Sequence, residues 1–311
     1  MEYKHIPVLL KETIDGLNVK EDGIYVDGTL GRGGHSSKIA EKLTTGHLYS
    51  FDKDMTAIEE SSVRLEPFKE KVTLIHSDFS HMKEKLNELG VHEIDGLILD
   101  LGVSSPQFDD PERGFSYRFD ARLDMRMDQS QSLSAYEVIN EYDFRDLQHI
   151  FRKYGEEPFA GPIAKKICER RQNRPIETTF ELVDVIKEAL PMKVKAKKGH
   201  PAKKVFQAIR IEVNHELDSL ELGLKDGLSM LKKGGKAAFI TLHSLEDRIV
   251  KDMFVEHSSV EKVDKRIPLR PDQIKEADYQ LLNKKPILPS DDENEENNRS
   301  HSAKLRGIMR K

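Results

Sequence analysis

Apolar and polar positions fall into two regimes along the chain. Up to residue 100, short apolar runs alternate with segments of helical period. The runs Gly23–Asp27, Leu48–Asp52, Val72–His76 and Ile94–Asp100 predict strands, with helical patterns after the first three; Lys236–Leu242 predicts a fifth strand far downstream. Such alternation argues for a parallel α/β sheet. Beyond Asp100 the rhythm breaks into a stretch rich in turn residues and charge, followed by helical patterns without strands. In "TTFELVDVIKEAL" a Thr178-x-x-Glu181 capping box precedes an apolar face of Leu182, Val183, Ile186 and Leu190. Leu217, Leu220, Leu224, Leu228 and Leu231 mark one face of a long helix that leads into the fifth strand. The expected architecture is an α/β domain made from residues 1–110 and 212–311, with a helical insert at 111–211. Near the end, an acidic turn "DDENEENN" between two strand-like stretches suggests a closing hairpin. No internal repeat is visible.

Composition narrows the class. The 311 residues are 37% hydrophobic and 34% charged, which is ordinary for a soluble globular protein. No apolar run approaches the roughly 20 residues that span a bilayer, and "MEYKHIPVLLKE" lacks the features of a signal peptide. A cytoplasmic location is expected. The single cysteine, Cys168, excludes an internal disulfide and a cysteine-built zinc site; sharing a helical face with Ile163, Ala164 and Ile167, it reads as packing.

Charge changes the picture of the insert. The chain as a whole carries −5, yet residues 111–211 hold 20 Lys and Arg against 15 Asp and Glu, and residues 160–210 hold 13 against 5. The basic stretches Lys165–Arg174 and Lys193–Lys204 suit a phosphate backbone, although a solvated helix face accounts for them equally well.

Candidate chemistry begins at the loop after the first strand, which holds Gly28, Gly31, Gly33 and Gly34. It lacks the Gly-Lys-Ser/Thr of a nucleotide-triphosphate loop and fits the G-x-G-x-x-G spacing of a dinucleotide site poorly. Asp27 ends the strand before the loop, and Asp52 ends the next strand, where an acid reaches ribose hydroxyls. A ligand with an adenosine, no pyrophosphate and a cationic amino-acid end is S-adenosylmethionine. Asp27 is a candidate partner for that cationic end, Phe79 a wall for adenine and Asp78 an acceptor for the adenine amine.

The fourth strand ends at Asp100, beside the expected cofactor, and runs into Ser104-Ser105-Pro106-Gln107. Methylation of an exocyclic base amine requires drawing its lone pair out of the ring. Acceptors that hold the amine hydrogens do this, and Asp100, Ser104 and Ser105 are the candidate catalytic residues, the last two through their backbone. Phe108 is a candidate stacking partner for the target base. The tetrapeptide Ser105-Pro106-Gln107-Phe108 departs from the Asp/Asn/Ser-Pro-Pro-aromatic motif of nucleic-acid amino-methyltransferases.

Several longer strings carry a family resemblance: "HIPVLLKETIDGL", "DGTLGRGGHS", "DLGVSSPQFDDPERGFSYRFDARLDMRM", "YGEE", "HPAKKVFQAIRIEVNHEL", "HSLEDRIVK" and "SAKLR". Together, from His5 to Leu305, the chain resembles the bacterial small-subunit ribosomal RNA cytosine-N4-methyltransferases of the MraW or RsmH type. That resemblance implies a Rossmann-like class I S-adenosylmethionine-dependent methyltransferase sheet with an inserted α-helical substrate-recognition domain. It implies N4 methylation of a cytidine in the decoding region of 16S ribosomal RNA, within a small subunit or a late assembly particle, and it leaves a homodimer open. By position it assigns cofactor contacts to Gly33, Gly34, His35, Asp52, Phe79, Asp100 and Gln107. Asp100 thereby becomes at least partly a cofactor residue.

Other groups have plainer readings. "HSLEDR" at 243–248 has no nucleophile elbow and more plausibly shapes the substrate side of the cleft. Asp120, Asp124 and Asp128 lack the glycine and terminal glutamate of a calcium loop and read as part of a salt-bridged loop; no metal is expected. A nicotinamide enzyme and an inactive RNA-binding assembly factor are the alternatives. The glycine spacing argues against the first, and the intact Asp52, Asp100 and "VSSPQ" against the second.

Overall fold

The computed structural model describes residues 7–195, 199–260, 276–297 and 300–311. The chain divides into two compact units, Met1–Gly102 with Asp218–Lys311, and Val103–Leu217. Residues 103–110 and 212–217, expected in the sheet domain, thus belong to the helical unit. The reason is packing: Val103 and Phe108 lie against that unit's apolar core, and Val213 is part of it.

In the first unit, α1 (Leu10–Leu17), β1 (Ile24–Asp27), α2 (Gly34–Lys42), β2 (His47–Asp52), α3 (Met55–Leu65), β3 (Val72–His76), α4 (Met82–Glu88) and β4 (Ile94–Asp100) follow one another. The second unit contains α5 (Ser105–Asp109), α6 (Ala135–Glu141), α7 (Phe144–Lys153), α8 (Ala160–Arg171), α9 (Thr179–Ala189), α10 (Met192–Lys195) and α11 (Lys203–Asn214). From α12 (Glu216–Met230) the chain passes into β5 (Leu231–Thr241), α13 (Ser244–Ser258), β6 (Tyr279–Leu281), α14 (Asp291–Glu296) and β7 (Lys304–Arg310).

The sheet order is β3-β2-β1-β4-β5-β7-β6. Strands β1 to β5 pair in parallel, whereas β7 runs antiparallel to both β5 and β6. This is the expected Rossmann-like, doubly wound sheet. Alternation along each strand feeds two cores: Tyr25, Ile98, Ala238 and Ile240 pack on the α1–α3 side, and Val26, Leu97, Leu99 and Phe239 on the side of α4, α12 and α13. Strand order reverses between β1 and β4, and in open sheets ligands bind outside the carboxyl ends of the strands at such a point.

Two local expectations change. The expected closing hairpin forms, with β6 antiparallel to β7, but the acidic stretch between them carries the helix α14 rather than a simple turn, because the Ser290 hydroxyl accepts the Glu293 NH at 3.1 Å and three acids fill the first turn, where the helix dipole favours them. The fifth strand begins at Leu231, five residues before its expected start, because Leu231 already pairs with Ile94; pairing then resumes at Lys236 opposite Gly96 after a register shift.

The second unit is a helical bundle closed around Leu147, Phe151, Ile163, Ile167, Leu182 and Ile186, all buried. The capping box at Thr178 and Glu181 opens α9 as expected. Cys168 is a free, half-buried thiol packed against this core.

Candidate functional site

The parallel register places three carboxylates at one edge of the sheet. Asp27 pairs with Ser50 on β2 and with Ile98 on β4, so Asp52 and Asp100 each stand two residues further along their own strands. Their environments assign them different tasks.

Asp27 is consumed by the fold. It is 1% exposed and accepts the Thr29 NH at 3.0 Å and the Ser36 hydroxyl at 2.6 Å, with Ser36 bonded in turn to Ser50 at 2.8 Å. Burial pushes its carboxyl up to about 6 against these bonds. Its expected role toward the cationic end of a ligand, directly or through water, is thus joined by a structural one: the carboxylate ties the glycine loop to α2.

Asp52 accepts the Gly31 NH at 2.9 Å with one oxygen and the Asp54 NH at 2.9 Å with the other. A carboxylate has about four lone-pair positions, so half of its capacity is left for hydroxyl donors. Burial raises its pKa to about 6, opposed by these two backbone bonds.

Asp100 is the least satisfied. Its NH donates to the Thr29 hydroxyl at 2.6 Å, but among the described residues no hydrogen bond reaches its carboxylate; His35 Nδ1 stands 3.8 Å from Oδ2. Desolvation, then the charges of Asp27 and Glu246, push its pKa up to about 8. Its side chain nonetheless keeps 23% of its surface exposed. An exposed edge on a proton-holding, unbonded carboxyl is a place for a cation or a hydrogen-bond partner to enter.

The glycine loop is held from both sides. Gly33 takes φ 70° to start α2, and Gly34 has no space for a side chain, since a Cβ there would lie 2.2 Å from Pro7 Cγ. The Gly31 carbonyl accepts the Ser61 hydroxyl at 2.7 Å, while Arg64 donates to the Arg32 carbonyl at 2.8 Å, so α3 clamps the loop that Asp52 also grips. His35, 5% exposed, begins the first turn of α2. Sequence reasoning missed Thr29, Ser36 and Ser61. Small hydroxyls spread over a loop and two helices leave no local signal.

Past β3, Asp78, the expected acceptor for an adenine amine, already holds three protein donors. It accepts Lys53 Nζ at 2.9 Å, the Ser80 NH at 2.8 Å and the Ser219 hydroxyl at 3.1 Å. Burial opposes its ionisation, but Lys53 and Ser80 outweigh it and hold the pKa below the ordinary value. Phe79 is half buried, with its ring against α12: a Cβ on Gly223 would come within 2.5 Å of Phe79 Cδ2.

At the head of α13, Glu246 is 2% exposed, accepts the Leu242 NH at 2.8 Å and lies 3.0 Å from His243 Nε2. "HSLEDR" is therefore a helix cap whose buried carboxylate sends its charge toward Asp100. Asp247 beside it holds Lys304 at 2.9 Å and Arg306 at 2.7 Å.

In the second unit, the Ser104 NH donates to Gln107 Oε1 at 3.0 Å, and Gln107 is 4% exposed; the Ser104 carbonyl accepts the Phe108 NH at 3.3 Å. The Ser105 side chain lies outside the described part. The arginine-rich loop is salt-bridged as expected: Asp124 holds Arg126 at 2.9 and 2.7 Å, Asp128 bonds Ser130, and Asp120 accepts the Phe180 NH.

The chemistry of the edge fits S-adenosylmethionine: acids at the ends of adjacent strands, one with spare acceptor positions for hydroxyls and one unbonded carboxyl toward a cation. Compared with known proteins, residues 2–311 match the MraW methylase family. Among solved structures, the chain is similar to a candidate rRNA methylase from Clostridium thermocellum at 13% identity and TM-score 0.46, covering 99% of this chain and 100% of that one. An rRNA methylase from Streptococcus thermophilus matches at 12% identity and TM-score 0.41, over 97% and 92%. A candidate methyltransferase from Streptococcus mutans, solved with SAH, matches at 12% and 0.44, over 99% and 100%.

Proposed function

Because the chain belongs to the MraW methylase family, S-adenosylmethionine-dependent methyltransferases acting on the N4 amine of an rRNA cytidine, we propose that Asp52 and Asp100 hold the cofactor and that the target lies in the decoding region of 16S ribosomal RNA. The observation that carries the site assignment is the Asp100 carboxylate: desolvated, without a hydrogen bond among the described residues, and at the carboxyl edge of the strand-order reversal. When bound, the cofactor supplies an electrophilic methyl on a positively charged sulfur. Asp52 offers its two spare lone-pair positions to ribose hydroxyls. Gly33, Gly34 and His35 present the start of α2, Phe79 the apolar wall, and Gln107 a further contact carried over from the family pattern. Asp100 answers positive charge and accepts a proton at its carboxylate oxygens. Ser104 and Ser105, four and five residues further along, offer main-chain acceptors for the amine hydrogens. Such acceptors favour a pyramidal nitrogen and stabilise developing positive charge.

The helical unit is the substrate-recognition part in this reading. Among the described residues no helix is long and apolar enough to cross a membrane, and a ribosomal substrate sets the protein in the cytoplasm, on a small subunit or late assembly particle.

Nucleoside mass spectrometry of 16S RNA from cells with and without the gene tests the target. We expect N4-methylcytidine to disappear from a decoding-region fragment in the deletion and to return on complementation. Loss of 5-methylcytidine instead would reject the amine chemistry.

A further inference from the structure

In the second unit, the loop before Leu123 is stitched to the start of α9. Thr179 Oγ1 donates to the Phe119 carbonyl at 2.6 Å, the Thr179 NH to the Ala121 carbonyl at 2.8 Å and the Phe180 NH to Asp120 Oδ1 at 3.3 Å, while Arg122 and Thr178 form an antiparallel bridge. These bonds fix Phe119 and Phe180 at adjoining positions, and both rings face water, 45% and 42% exposed. A single exposed phenylalanine is unremarkable. Here the same backbone contacts that order the loop hold two of them out together.

Arginines flank the pair, with the carboxylates of Asp124 and Glu137 within reach of the Arg122 charge. Arg118 and Arg122 flank Phe119, are exposed, and among the described residues neither side chain makes a hydrogen bond or ion pair. Tyr117 stacks on His200 with ring centroids 4.1 Å apart and planes within 9°. Burial, then Lys187 and Arg118, hold His200 below its ordinary pKa, so those two cations lie around a neutral ring. The one acid in the stitched segment, Asp120, is occupied by the Phe180 NH.

We propose that Phe119 and Phe180, with Arg118 and Arg122, form a stacking site for unpaired nucleotides of RNA. The proposal rests on the reading of the chain as an rRNA enzyme and locates one part of its substrate contact. Single-stranded RNA is bound by stacking splayed bases on aromatic faces while arginines meet the phosphates, and this cluster offers both. A protein partner would call for a contiguous apolar patch on the order of several hundred Å². Two rings bounded by unpaired arginines match nucleotides better.

The chain contains no tryptophan, so Phe119→Trp in the full chain introduces a single indole whose emission reports stacking directly. A fluorescein-labelled single-stranded oligocytidylate, followed by anisotropy, reports binding independently. We expect the indole to be quenched along the same titration curve as the anisotropy, and less by a duplex of equal length. Phe119→Ala with Phe180→Ala should raise the RNA Kd about tenfold, the lower range of base–aromatic stacking, and leave the S-adenosylhomocysteine Kd unchanged. Since both rings are exposed, neither substitution empties the core. Anisotropy showing binding with an unquenched indole and a wild-type Kd in the double alanine variant would overturn the stacking site and leave the RNA reading intact. No binding by the unsubstituted chain would overturn the RNA reading itself.

Discussion

At Asp100, ligand and proton compete for one carboxyl. With its pKa pushed up to about 8 by burial and by the charges of Asp27 and Glu246, the group is largely protonated at neutral pH. A net positive cofactor prefers it ionised, so affinity for S-adenosylmethionine should rise between pH 6 and 8 with release of a proton; calorimetry in buffers of different ionisation enthalpy measures this. Asp100→Asn should flatten the pH dependence, and a variant retaining the wild-type slope would remove Asp100 from the site. The same shift works against the fold. The raised carboxyl binds its proton more tightly folded than unfolded, where an aspartate titrates near about 4. Stability therefore falls as pH rises from about 4 to 8, and denaturant melts of the ligand-free chain should show a shallower fall in Asp100→Asn. Asp27 and Asp52, raised to about 6, add to the lower part of that window.

At the scale of elements, the glycine loop derives its shape from α3 as much as from its own glycines. Ser61 holds the Gly31 carbonyl and Asp52 the Gly31 NH, so the two peptides flanking one glycine are both fixed. Asp52→Ala removes that grip and the proposed ribose acceptor, and should weaken cofactor binding by about 1.5–3 kcal/mol, the scale of a hydrogen bond to a charged group. Ser61→Ala never touches the ligand. It should still cost about 0.5–1.5 kcal/mol of affinity through the loop, and isothermal titration of both variants separates the two contributions. The four glycine positions and Asp52 were legible because strand, loop and acid sit close in sequence. The clamp was not, because Ser61 lies 30 residues from Gly31. Phe79 shows the same limit: its position at a strand end was readable, but its packing on Gly223 depends on a helix 144 residues away, numbered from the sequence.

At the scale of the whole molecule, charge alone misdescribes the helical unit. Counted over its observed span, 103–217, it carries 20 Lys and Arg against 19 Asp and Glu, so the basic character belongs to patches. Even these are partly spent: Arg171 donates to the carbonyls of Ile139 and Tyr142, Arg174 pairs with Glu181, and Lys204 donates to the Glu156 carbonyl. The side chains of residues 194–198, part of the second basic stretch, lie outside the described residues. Lys165 and Arg170 on α8 are exposed, Lys165 with Glu169 3.9 Å away. Reversing both to glutamate should raise the RNA KM and reduce the salt slope of binding by about one per lost phosphate contact, with cofactor affinity unchanged. An unaltered salt slope would move the phosphate contacts elsewhere. By itself the sequence determined the strands, the order of the chemistry along the chain and the family, because apolar period and short-range spacing are written locally. Tertiary structure alone decided that Asp27 is a structural bond acceptor and Asp100 an unbonded one. It also decided that Val103–Asp110 belongs to the helical unit, and that Arg118 and Arg122 make no side-chain hydrogen bond or ion pair among the described residues. Each of these depends on partners distant in the chain, and desolvation and hydrogen-bond saturation exist only once those partners are packed.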